Sequence, residues 1–344
     1  MMVRAVHFAF EFQPRTPAVA TLYYPGDDRR LDEARLTGRL PAQDDGPWSP
    51  PWPVVIIMPG INIAPDCYRW LARRLVADGL CAVTYAAVGE LGPAGRGITP
   101  GLDLAALAPG VAGTRCSATA VGPLLAGLGE LQGGDEPVAG RLDLDRVVVG
   151  GHSAGGTVAL HNSTPAWIPG LRAVFAYGGH TMTSAALGHG EAAVLPVPAQ
   201  VPVLLLAGAD DRVIAASRDR YRPDGGSPRS GTPEGDATTP DPDHAEPAAH
   251  DPVGRTFSEA VSRDQQDSWL VELAGAGHFA ICDPVDTTSG RSFLEPDTEH
   301  ADPAGRVLLG DLIADFIGQA LGRTDDLTFE RHREHHLIGR WARK

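Results

Sequence analysis

Arg146-Val147-Val148-Val149-Gly150-Gly151-His152-Ser153-Ala154-Gly155-Gly156 decides the fold. Three valines in a row suit a strand buried on both faces. The glycine-rich turn that follows holds Gly151-His152-Ser153-Ala154-Gly155, which fits G-x-S-x-G. Such a turn joins a strand to a helix so sharply that its serine takes a strained backbone. The residues two away on either side must then be glycine, because strand and helix nearly collide there. Thr157 to Asn162 continue the turn as a helix. The pentapeptide alone recurs in glycine-rich chains; the strand before it and the helix after it make it specific.

Working outward, the same alternation repeats. Val54-Val55-Ile56-Ile57-Met58 is a short apolar run stopped by Pro59-Gly60. Residues 66–79 have helical spacing, with Asp66 as cap and Gly79 as stop. Strands follow at 80–85, 171–177, 203–206 and 269–273, with helices at 115–131 and 304–321. Residues 3–12 and 17–24 read as an antiparallel hairpin at a sheet edge. Strands alternating with helices predict an α/β fold: a mostly parallel central sheet, an antiparallel N-terminal edge, and helices on both faces. The expected organisation is a single domain over 1–323 with insertions near 88–114 and 215–260, then a charged tail at 324–344. The proline-, glycine- and acid-rich run 222–256 reads as a mobile excursion. The tail reads as a solvated helix or disordered end, since His332, Glu334 and His335 match no metal-binding spacing.

The 344 residues carry a net charge of −14. That balance argues against nucleic acid and anionic membrane as partners. No apolar stretch is long enough to span a bilayer, and the N-terminus lacks the features of a signal peptide, so the expected location is cytoplasmic. The four cysteines are widely spaced and contain no CxxC pair, which points to neither a zinc site nor a disulfide framework. No nucleotide or cofactor fingerprint is present, and no cofactor or metal is expected.

A serine hydroxyl is a weak nucleophile and needs a base oriented by an acid. After a serine on this kind of turn, the acid and then the histidine follow in chain order. Gly208-Ala209-Asp210-Asp211 ends one strand, and Gly275-Ala276-Gly277-His278 follows the last one. Ser153, Asp211 and His278 are the candidate catalytic residues. Asp211 is favoured over Asp210 because the turn before Val213-Ile214 aims it back toward the strand ends; Asp210 stays open. The oxyanion would be held by the N–H groups of Ala154 and of Ile61, in the loop after the first central strand. Asn62, His152, His180 and Phe279 are candidate substrate contacts, with turn chemistry competing at Asn62 and packing at the others.

Pro59-Gly60-Ile61-Asn62, Tyr68-Arg69-Trp70-Leu71-Ala72, Asp78-Gly79-Leu80, the Ser153 turn and Gly277-His278 together resemble the α/β-hydrolase superfamily. They are most similar to its dienelactone-hydrolase, cutinase-like polyesterase and chlorophyllase branch. The resemblance covers 54–85, 140–215 and 265–320, about half of the chain. It implies the α/β-hydrolase fold and hydrolysis of a small or medium-sized carboxylic ester or thioester, through an acyl-enzyme on Ser153. The long gap between Asp211 and His278 and the enlarged 88–114 stretch depart from that branch. They leave open a biosynthetic acyltransferase, cyclase or tailoring enzyme with the same triad, and a non-catalytic ligand-binding relative. Oligomeric state is not legible.

Overall fold

The computed structural model describes residues 2–26, 48–91, 95–183, 187–189, 193–217, 251–262, 267–285 and 303–344. The expected excursion at 222–256 therefore falls mostly outside the described residues.

Ten strands of the described residues form one sheet: β1 (Met2–Gln13), β2 (Thr16–Gly26), β3 (Trp52–Met58), β4 (Cys81–Glu90), β5 (Arg96–Thr99), β6 (Leu142–His152), β7 (Leu171–Tyr177), β8 (Val203–Gly208), β9 (Ser268–Leu273) and β10 (Ile338–Arg343). The order across it is β1-β2-β4-β3-β6-β7-β8-β9-β10, with β5 paired to the outer half of β4. The six strands from β4 to β9 along this path run parallel. The β1–β2 hairpin closes one edge antiparallel, as its sequence predicts.

Side chains alternate across a strand, so an all-apolar run must feed two cores. β3 does this. Val54 and Ile56 join the core under the helices α2 (Val121–Gly133) and α3 (Ala154–His161). Val55 and Ile57 join the opposite core, under α1 (Arg69–Ala77) and the long α6 (Pro303–Ala320). The result is an α/β fold with helices on both faces. Among the described residues no helix is long and apolar enough to cross a membrane.

Several expectations need correction. The helix expected from 66 opens as a 3-10 turn over Pro65–Tyr68, and Asp66 caps neither it nor α1; Pro65 at its first position starts the tight turn. The helix expected at 115–131 begins only at Val121, because the residues before it are held elsewhere. Ser117 N–H donates to Asn162 Oδ1 (2.9 Å), and Thr119 N–H donates to Gly101 O (2.8 Å). The helix after Ser153 starts at once, at Ala154. The stretch 88–114 contributes β5, which folds back on β4. The tail is not a solvated end. It forms α7 (Asp326–Glu330) and then β10, which pairs antiparallel with β9 and closes the second edge. Phe329 from this segment is fully buried against Trp269 and Phe316. Long-range burial of one aromatic outweighs the local charge density that suggested disorder.

Candidate active site

Ser153 sits between β6 and α3 with φ 53° and ψ −120°. A non-glycine residue there costs on the order of 1–3 kcal/mol and persists only if its surroundings over-determine it. They do. Ser153 N–H donates to Tyr177 O of β7 (2.8 Å). A Cβ at Gly151 would come within 2.5 Å of the Gly155 carbonyl carbon, and one at Gly155 within 2.7 Å of Pro59 O. Both glycines are therefore required by contact between backbones.

Asp211 lies just past β8, and its carboxylate is buried. One oxygen accepts from Ile214 N–H (2.8 Å) at the start of α4 (Arg212–Ser217). The other lies 2.8 Å from His278 Nδ1. A proton on Nδ1, donated to that carboxylate, leaves Nε2 as the acceptor. Asp210 points to solvent, while its N–H is tied to Ala276 O (3.0 Å). The structure thus joins Asp211, and not Asp210, to His278. Gly178, at φ 61°, separates this pair from the Ser153 turn: a Cβ there would lie 3.1 Å from His278 Nδ1 and 3.3 Å from Asp211 Oδ2. The residue before it, Tyr177, is the one that binds Ser153 N–H.

The loop after β3 spends its amides unevenly. Gly60 N–H donates to the Tyr68 hydroxyl (3.0 Å), Asn62 N–H to Ile98 O (2.9 Å) and Ile63 N–H to Gly60 O (3.2 Å). Pro59 has no N–H. Ile61 N–H therefore stands between two anchored amides with no acceptor among the described residues. Ala154 N–H opens α3 at its electropositive end, where helix amides lack partners within the helix.

The remaining candidates fall in different places. His152 is fully buried, its ring 4.6 Å from that of His278 and its Nδ1 3.0 Å from the Tyr68 hydroxyl. Phe279 is also buried, edge-on to His278. Both pack beneath the site. His180 is half-buried; its carbonyl accepts from Thr157 Oγ1 (2.9 Å). Asn62 has φ 58° and its side chain lies against Gly97, so its turn role is the one seen. Burial and neighbouring Cys282 push the Tyr68 phenol well above its ordinary pKa, so it stays a neutral bridge. The Tyr177 hydroxyl donates to Gly277 O (2.5 Å) and holds the turn before His278. Sequence reasoning gave no role to Tyr68 or Ile98, whose contacts cross from one element to another. Among the described residues no cluster of His, Cys, Asp and Glu could hold a metal ion.

Neither the scan against protein-family models nor the search of curated proteins finds a match for this chain.

Proposed function

We propose that this chain is a serine esterase of the α/β-hydrolase type, forming an acyl-enzyme on Ser153. The observation that carries the reading is the strained Ser153 turn beside a buried Asp211–His278 pair. Strain of this kind needs a compensating purpose, and an exposed nucleophile is the usual one.

In this reading His278 Nε2 takes the Ser153 proton as Oγ attacks the ester carbonyl. Asp211 holds the ring and offsets the charge that forms on it. The N–H groups of Ile61 and Ala154 stabilise the oxyanion. His278 then passes its proton to the leaving alcohol, and water releases the acyl group by the reverse sequence. Neither orienting contact has to form during the reaction, because Asp211 and the Ile61 loop are already anchored.

A fluorophosphonate probe tests this. It should label wild-type protein once, at Ser153, and leave Ser153→Ala unlabelled, as read by intact mass. Wild-type protein as unreactive as Ser153→Ala overturns the proposal.

A further inference from the structure

We infer that the β4–β5 hairpin is the positioning element of the oxyanion loop, with Gly97 and Ile98 as its contact residues. The inference rests on the serine-esterase reading and adds a part to it that lies outside the triad.

An oxyanion donor works by being in place before charge develops. The amide at Ile61 has no bond of its own to hold it, so its direction is set by its neighbours. On one side Gly60 is tied to Tyr68, itself buried and linked to His152. On the other side Asn62 adopts a left-handed backbone, which asparagine tolerates better than most residues. That conformation is held from outside the loop. Ile98 O accepts the Asn62 N–H, and Asn62 Oδ1 fills the space that a Gly97 side chain would need.

The hairpin that supplies both contacts is itself rigidly placed. The inner half of β4 pairs with β3, the strand that leads into the loop, through Cys81 to Thr84. Its outer half pairs with β5, setting Val88 against Ile98 and Gly89 against Gly97. At the far end of the hairpin the buried Tyr85 hydroxyl donates to Pro100 O (2.6 Å). The loop is therefore gripped by a strand that continues from its own sheet. A Cβ at Gly97 would strike Asn62 Oδ1 and stand 2.7 Å from Leu91 Cδ1, so the Asn62 side chain would have to give way. Adding a methyl group there presses on the oxyanion loop without touching Ser153, Asp211 or His278.

The experiment compares Gly97→Ala with wild type, using a p-nitrophenyl ester for turnover and phenylboronic acid as a tetrahedral mimic. The boronate forms one bond from Ser153 Oγ to boron, the serine proton passes to His278, and the anionic boron adduct presents an oxygen to the oxyanion donors. Gly97→Ala should lower kcat about 10- to 100-fold and weaken boronate binding by a similar factor, a smaller loss than the 10²–10³ of deleting a donor. KM should stay within about threefold, because ground-state binding does not use the donor fully. In an Asn62→Gly background, which keeps the left-handed turn and removes the obstructing oxygen, the same substitution should cost under about threefold. Should Gly97→Ala fail to fold, Tyr85→Phe carries the test by cutting the hairpin's tie to Pro100, with a kcat loss of about 3- to 10-fold at constant KM. Arg96→Ala, on the same hairpin but exposed, should leave turnover unchanged.

Wild-type protein that resists fluorophosphonate overturns the esterase reading and this inference with it. Wild type that labels normally, while Gly97→Ala keeps kcat and boronate affinity within threefold, overturns the positioning role alone. An equal loss of kcat in the Asn62→Gly background does the same.

Discussion

Asp211–His278 and Asp315–His332 are two aspartate–histidine contacts of nearly equal length, 2.8 Å and 2.7 Å. Their surroundings differ. The first lies beside the strained Ser153 turn, with its remaining carboxylate oxygen taken by Ile214 N–H. The second joins α6 to the C-terminal segment. There Arg331 adds a contact to the same carboxylate oxygen (2.9 Å). Burial works to raise Asp315, but the His332 hydrogen bond and the Arg331 charge outweigh it and hold its pKa below the ordinary value. One pair is buried next to the turn that strains Ser153. The other fastens the C-terminal segment to α6. An Asp–His contact by itself therefore does not identify chemistry.

The largest expected effect separates the two pairs. Ser153→Ala or His278→Ala should lower ester turnover by about 10⁴- to 10⁶-fold, and Asp211→Asn by about 10⁴-fold, with folding retained. Asp315→Asn should leave turnover per folded molecule within about twofold. Steady-state rates normalised to folded protein check this, and a loss at Asp315 comparable to that at Asp211 breaks the comparison.

A third histidine sharpens it. Burial, with a smaller contribution from His180, pushes His161 down to a pKa of about 4, from 6.5. Its native state stays neutral while the unfolded chain takes a proton. Between those values the unfolded state binds more protons, so stability falls as pH drops from 6.5 to 4, by about 3 kcal/mol. Denaturant titrations across that range should show this slope, and His161→Leu should flatten it. An unchanged slope rules His161 out as its source.

Asp315→Asn should cost about 2 kcal/mol of stability at neutral pH, since the pair is only partly shielded and Arg331 is exposed. Because the folded pKa is depressed, this contribution is present above the ordinary aspartate value of 3.8 and is lost as pH falls through the lower folded value. The gap between variant and wild type should narrow progressively as pH falls below 3.8. A gap that does not narrow contradicts an ionised Asp315 as its source.

Apolar runs and glycine positions made much of this readable in advance. Val147 to Val149 and Val54 to Ile57 announce buried parallel strands because both faces must be apolar. Gly151 and Gly155 announce the Ser153 turn because backbone contact there excludes any side chain. The order of Ser153, the aspartates and His278 follows from the same local patterns. These are short-range steric and solvation effects, written within a few residues.

The tertiary structure decided what local patterns leave degenerate. Asp210 and Asp211 are chemically equal in sequence; only the turn after β8 buries one against His278 and turns the other to water. Asn62 carries no mark of its partner Ile98, because their contact depends on how β5 folds back on β4. His332 and Phe329 lie in a segment whose charge suggests solvation, yet pairing of β10 with β9 draws both inward. Each outcome depends on a backbone pairing or a burial between segments distant in sequence, whose energy exists only once the sheet has formed.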